Sequence, residues 1–154
     1  MLLWIITAGV WLIDRALKAW IVSHLVLGKS VFVLPGVFHL TYILNAGAAF
    51  GMMAGHPGLL ILLACLVLGG IFYIQRQWVP REPLPRIALG MISGGALGNL
   101  YDRITIGKVV DYLDFQIWPF IFNFADSMIV VGIAVIILCG YVKERHGREE
   151  YPEN

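Results

Sequence analysis

A chain of 154 residues has room for one core and no second. Its apolar fraction of 59 %, mean hydropathy of +0.80 and charged fraction of only 14 % exclude an ordinary soluble domain and fit an integral membrane protein. The net charge of +1 suits neither nucleic acid nor an acidic partner.

In chain order, the first apolar segment runs from Met1 to about Val22 and is interrupted by Asp14, Arg15 and Lys18. It reads as a membrane span rather than a secretory signal, because no basic region precedes it and no small-x-small site follows. Asp14 and Lys18 stand four residues apart, share a helix face and read as an internal ion pair. Beyond it, Val31 to Leu34 and Val37 to Leu44 flank Pro35-Gly36 and predict two short strands about a turn. Pro57 to Gln75 is an uncharged second span.

The third span, Ile87 to Tyr101, carries Gly90, Gly94 and Gly98 at four-residue intervals, with Gly95 alongside. Such a small face lets helix backbones approach closely in lipid. Its 15 residues give roughly 22 Å at helical rise, less than the ~30 Å hydrocarbon core. Its polar end, Asn99, Asp102 and Arg103, is therefore expected beneath the outer headgroups, with Asp102 and Arg103 as a local salt bridge. Val109 to Phe115 then alternates and predicts a third strand, completing a small extracytoplasmic sheet. Asp114 reads as capping or solvating a turn.

The last span runs from Trp118 to about Val142, and the charged tail from His146 to Asn154 is expected to fray. Basic residues Arg76, Arg81 and Arg86, and Lys143, Arg145 and Arg148, mark two cytoplasmic segments, so both termini lie inside. The expectation is an all-α integral membrane fold as one domain, 1–154. It has four transmembrane helices at about 1–23, 57–76, 87–102 and 118–142, with a small extracytoplasmic β-sheet and a lid element. Loops at about 24–56 and 103–117 lie outside; the tail 143–154 lies inside. Cys65 and Cys139 fall mid-span and read as small apolar residues. The four histidines, His24, His39, His56 and His146, show no metal spacing, so neither metal nor other cofactor is expected.

One residue resists a bland reading. Asp126, in FNFADS, begins a long apolar run, eight residues after Trp118 and with Asn123 three residues before it. A charge inside the bilayer costs at least ~2.5 kcal/mol. No basic residue of the same helix is near enough to neutralise it, so a partner must come from elsewhere. Five aspartates (Asp14, Asp102, Asp111, Asp114 and Asp126) allow ten pairs. Asp111 is the candidate because its segment leads directly into this helix. Two carboxylates brought together outside bulk water share one proton. That arrangement lets one take a proton from water while the other protonates an oxyanion or leaving group. The alternative is that Asp126 only accepts helix-packing hydrogen bonds.

NAGAAFG (Asn45 to Gly51), GGALGNLYDR (Gly94 to Arg103), VVDYLDF (Val109 to Phe115) and FNFADS (Phe122 to Ser127) resemble, in order, signature blocks of the bacterial lipoprotein signal peptidases, or signal peptidases II. DRALK (Asp14 to Lys18) resembles the first block, with Arg15 where glutamine is usual; Tyr112 stands where phenylalanine is common. The resemblance implies an aspartic endopeptidase of the bacterial inner membrane, cutting prolipoproteins just before a diacylglyceryl-modified cysteine. It places the catalytic pair on Asp111 and Asp126 and substrate main-chain contacts on Asn99 and Arg103. Asn45 and Asn123 become polar positions around the site, and Gly47, Ala48, Ala49 and Phe50 part of the closing element. Asp14, Lys18 and Asp102 become supports. The implied partners are lipid-modified prolipoproteins, membrane lipids and globomycin-type cyclic peptides; a monomer suffices. The rival is a small proton-coupled transporter using Asp14 and Asp126 as relays, which predicts repeats the sequence lacks. Ser93 and Ser127 have no histidine at their depth, against a serine hydrolase.

Overall fold

The structure, a computed structural model, describes residues 1–47, 53, 55–77 and 82–150. Four helices and three strands follow in the order α1 (Leu2–His24), β1 (Ser30–Leu34), β2 (Phe38–Asn45), α2 (Pro57–Gln77), α3 (Pro83–Ile106), β3 (Val109–Phe115) and α4 (Phe124–Glu150). α3 is the central helix, packed on α1, α2 and α4. The sheet is antiparallel in the order β1-β2-β3.

Glycine makes the central packing possible. A methyl group on Gly90 would lie 2.8 Å from both Ile6 Cβ and Leu3 O, and one on Gly94 would lie 2.6 Å from Val10 Cβ and 2.7 Å from Thr7 O. Gly98 makes room for the Asp14 carboxylate, while Gly95 abuts the backbone of Ala125 on α4. α4 answers with its own glycine, Gly132, against Ala88 O and Ile92 of α3. The small face predicted on α3 therefore serves α1, and the offset Gly95 serves α4. Thr7 adds a hydrogen bond across the seam, its hydroxyl donating to Gly90 O at 3.3 Å. Overpacking so tight a contact costs about 1–3 kcal/mol. Gly94→Ala is expected to lower the melting temperature in detergent, whereas Gly69→Ala, whose added methyl meets nothing within 4 Å, is expected to leave it unchanged or raise it.

Both ends of α3 and both ends of α4 differ from the sequence reading, α3 beginning at Pro83 rather than Ile87. α3 is 24 residues long, continuing through Asp102 and Arg103 to Ile106. Its N-terminus tolerates Pro83 and Pro85 because the first-turn N–H groups have no helical partner. Its end is set by Gly107 in the left-handed region (φ 72°), whose N–H reaches Arg103 O at 3.1 Å. α4 starts at Phe124, six residues after the expected Trp118. Residues before it instead extend β3 pairing: Leu113 N donates to Phe122 O at 2.7 Å and Phe122 N to Leu113 O at 3.1 Å. Pro119 explains part of this, since the residue before a proline avoids the helical region. At its other end α4 continues to Glu150, through residues expected to fray.

The sheet is seated by a small apolar core: Ile21 of α1 and Leu25 just past its end against Val110 and Tyr112 from β3, with Leu40, Tyr42 and Phe124 packed around. Because strand side chains alternate, burying Val110 and Tyr112 in that core turns Asp111 to the opposite face. Elsewhere the usual order is inverted. Leu62, Leu66, Val130 and Ile137 are exposed on α2 and α4, while Asp14, Lys18, Asn99 and Asn123 are buried. α2 and α4 are long and apolar enough to cross a membrane.

Candidate active site

The FNFADS segment caps its own helix. Asn123 Oδ1 accepts from Asp126 N at 2.9 Å, and Asp126 Oδ2 accepts in return from Asn123 N at 3.3 Å. This is a reciprocal capping box, with Asn123 at the cap and Asp126 three residues on. Asp126 is thus in the first turn of α4 rather than well inside it, where the helix dipole favours a negative charge. A cap alone would leave its other oxygen unexplained. Asp126 Oδ1 accepts from Asn99 Nδ2 of α3 at 2.7 Å.

Asn123 also reaches Asp111. Its Nδ2 donates to Asp111 Oδ1 at 2.6 Å and to Asn99 Oδ1 at 3.2 Å. The second oxygen of Asp111 accepts from Asn45 Nδ2 of β2 at 2.9 Å. One asparagine, 0 % exposed, therefore bonds both carboxylates, Asp111 through its side-chain amide and Asp126 through its backbone N–H, and its second amide hydrogen goes to Asn99. Asp111 itself is 1 % exposed, whereas Asp126 is half-buried. Burial, and next the charge of Asp126, push the Asp111 carboxyl up from 3.8 to about 7, against the hydrogen bonds from Asn45 and Asn123. One face of the network is polar and partly open: Arg103 donates to Gly47 O at 3.1 Å, and Gly47 N donates to Asn45 Oδ1 at 2.8 Å. Arg103 lies in the field of both carboxylates.

Behind this network lies an ion cluster. Lys18 Nζ sits 3.0 Å from Asp14 Oδ2 and 2.9 Å from Asp102 Oδ2, and donates to Asn99 Oδ1 at 2.9 Å. Arg15 pairs with Asp102 Oδ1 and stacks its guanidinium 4.6 Å from the centre of the Tyr101 ring. Asp102 Oδ2 also accepts from Val110 N at 3.2 Å, pinning β3 one residue before Asp111. The expected Asp14–Lys18 pair is present. The expected Asp102–Arg103 bridge is not, because a helix points adjacent side chains about 100° apart. Asp102 turns inward to Lys18 and Arg15; Arg103 turns to Gly47.

Asp111, Asp126, Asn45, Asn99, Asn123, Arg103 and Gly47 thus converge in one network, with Asp14, Lys18 and Asp102 directly behind. Ala48, Ala49 and Phe50 lie outside the described residues. Asp114 stands apart, accepting from Thr41 Oγ1 at 2.6 Å and Gln116 Nε2 at 2.9 Å. Two features escaped the sequence reading. Arg15 is part of the ion cluster, though its adjacency to Asp14 offered a hint. Asn123 is a hub rather than a residue beside a site, which its cap-like spacing to Asp126 could have signalled. The transporter alternative finds no support, since Asp14 is sealed against Lys18 at 0 % exposure. Chemically, two carboxylates held on one asparagine can pass a proton between water and a bound carbonyl compound.

Comparison with known proteins identifies the family. The family model described as signal peptidase (SPase) II matches residues 6–142. A lipoprotein signal peptidase of Desulfitobacterium hafniense is 54 % identical over 149 residues, covering 97 % of this chain and 99 % of the relative. One of Halothermothrix orenii is 40 % identical over 148 residues, covering 95 % and 99 %. A solved bacterial membrane enzyme, determined by the in meso method at 2.3 Å resolution, superposes with a TM-score of 0.88 at 29 % identity, over 97 % of this chain and 93 % of its own. A second, at 1.9 Å resolution, gives 0.80 at 30 % identity over 88 % and 89 %. With nearly the whole sequence matched by model, relatives and fold together, the chain belongs to the signal peptidase II family.

Proposed function

We propose that this chain removes signal peptides from prolipoproteins as an aspartic endopeptidase, cutting just before the diacylglyceryl-modified cysteine. The observation that carries the reading is Asn123, bonded at once to Asp111 and Asp126. The pair shares one proton. Asp126, the more accessible member, takes a proton from water as the water oxygen attacks the scissile carbonyl carbon. Asp111 gives its proton to the carbonyl oxygen. Collapse of the tetrahedral adduct breaks the C–N bond: Asp126 gives its proton to the leaving nitrogen, and Asp111 takes one from a hydroxyl of the adduct as the new carbonyl forms, which restores the starting pair. Arg103, on the open side, holds substrate main chain; Asn99, expected beside it in that role, is turned to Asp126 and with Asn45 and Asn123 holds the carboxylates. The segment from Gly47 to Phe50 closes over the bound peptide.

The setting fits a lipid-anchored substrate. α1 and α3, at 23 and 24 residues, reach roughly 34–36 Å, so all four helices match the bilayer. By the positive-inside rule both termini lie in the cytoplasm of a bacterial inner membrane and the sheet and the aspartates lie at its outer face, where a globomycin-type peptide competes with the substrate. The test is cleavage by the purified chain of a precursor peptide carrying diacylglyceryl-cysteine, beside the same peptide with free cysteine. Cleavage of the lipidated peptide alone is expected; equal cleavage of both, or of neither, contradicts the reading.

A pH profile follows from Asp111. Its carboxyl holds the shared proton below about pH 7 and loses it above, leaving two charges and no acid. The rate is therefore expected to fall about tenfold per pH unit above pH 7. Stability runs the same way: a carboxyl whose folded value is raised stabilises the fold at low pH, and that contribution drains away between 3.8 and about 7. Initial rates and melting curves from pH 5 to 9 check both.

A further inference from the structure

Lys18 is fully buried yet serves the two carboxylates only from behind. Its ammonium has three hydrogens and no lone pair, so whatever atom faces it must accept. The atom facing it from Asn99 is Oδ1, at 2.9 Å. An asparagine amide has two ends, and fixing one fixes the other. With Oδ1 turned to Lys18, Nδ2 must turn to Asp126, which it meets at 2.7 Å. Reversed, the amide would set its hydrogens against an ammonium and its oxygen against a carboxylate, two repulsions in place of two bonds.

We infer that Lys18 is a positioning residue for the peptidase reaction, locking the Asn99 amide in the one orientation that donates to Asp126. The inference rests on the proposed peptidase role. The ion cluster explains why a lysine can be kept here: Asp14 and Asp102 balance its charge, and Arg15 balances Asp102. No ion pair requires Asn99 to be a ligand of that ammonium. That third contact links the ammonium to Asp126, as the Asp102–Val110 bond links the cluster to the strand of Asp111. Asp111 also feels the Lys18 charge, which holds its carboxyl lower than burial alone would. The charged groups around the lysine are Asp14 on α1 and Asp102 on α3 in direct contact, Arg15 on the far side of Asp102, and Asp111 on β3 and Asp126 on α4 within reach of its field.

Testing requires separating the lock from the charge. In an Asp14→Asn background, which keeps the cluster balanced once the lysine is gone, Lys18→Gln and Lys18→Met are both neutral and equal in length. Gln can still donate to Asn99 Oδ1; Met cannot. On the lipidated precursor, the Met variant is expected to lose at least about tenfold in kcat relative to the Gln variant, with KM within about threefold. Both neutral variants are expected to shift the alkaline limb of the rate profile upward together, since both remove the charge. Adding Asn99→Ala is expected to erase the Gln–Met difference, because the lysine acts through that amide. Equal kcat for Gln and Met, or an undiminished difference without Asn99, overturns the proposal while leaving the peptidase reading intact. An inactive wild type would instead remove that reading. Asn99→Ala alone leaves the ion cluster whole and tests the lock independently: unchanged kcat there overturns the proposal even if no Lys18 variant accumulates.

Discussion

Asp111→Asn and Asp126→Asn are each expected to cut kcat on a diacylglyceryl-modified precursor by roughly 10³-fold or more, with the melting temperature nearly unchanged. An amide has nearly the shape of a carboxylate but can neither take a proton from water nor return one. The folding side of the expectation comes from opposed effects. At Asp111, one contact from Asn45 or Asn123 turns into donor against donor, a local loss. Against it, a group 1 % exposed no longer has to be ionised in a poor solvent. At Asp126 the cap from Asn123 N is lost, donor now facing donor, while Asn99 still finds an oxygen and the reverse bond from residue 126 N to Asn123 Oδ1 remains. Because the proposed mechanism uses the two residues as a unit, the double variant is expected to be no slower than the worse single one. Single-turnover cleavage and thermal unfolding, measured on the same preparations, separate the two effects. Near-normal cleavage by either variant removes that residue from the chemistry.

The largest stability effect is expected one layer behind. Asp102→Ala deprives Lys18 and Arg15 of a shared counter-ion and leaves Val110 N without its acceptor. Breaking a buried pair from one side costs about 3–5 kcal/mol, because the remaining charge is stranded away from water. That corresponds to a fall of roughly 10 °C in melting temperature. Activity should fall as well, since β3 loses its anchor beside Asp111, but the loss should track unfolding: lowering the assay temperature should restore much of it. For Asp111→Asn, cooling should restore nothing. Scanning calorimetry in detergent with parallel assays at two temperatures distinguishes a residue that holds the site from one that works in it. An Asp102→Ala protein as stable as the parent would show the cluster to be dispensable.

What the sequence exposed, and what it hid, follows from the range of each interaction. β3 was readable residue for residue, from Val109 to Phe115, because strand alternation is a local property. The glycine face of α3 was readable because every fourth residue repeats along one helix side. The start of α4 was misplaced because the apolar run from Ile117 to Phe122 suits a span by composition. It is drawn instead into pairing with Leu113, a contact set by tertiary position. The end of α3 was misplaced because Asp102 and Arg103 look like a polar terminus; only the cluster from α1 lets a helical Asp102 stay buried. The partners of Asp102 and Asn99 on α1 lie more than eighty residues away in sequence. No local pattern announces such pairs. Spacing alone leaves the convergence of Asp111 and Asp126 one of ten pairings, which only the motif blocks narrow, and it shows the asparagine that joins them merely as a neighbour.

The proposed chemistry turns on a titratable proton at Asp111, and infrared spectroscopy sees it directly. Difference spectra of the purified enzyme across pH 5 to 9 should show a protonated-carboxyl stretch that disappears with a midpoint near 7. The band should be missing from Asp111→Asn and should titrate at lower pH in Asp126→Asn, where the neighbouring charge is gone. A spectrum with no carboxyl titrating in that window, or one in which the band survives intact without Asp111, would contradict it.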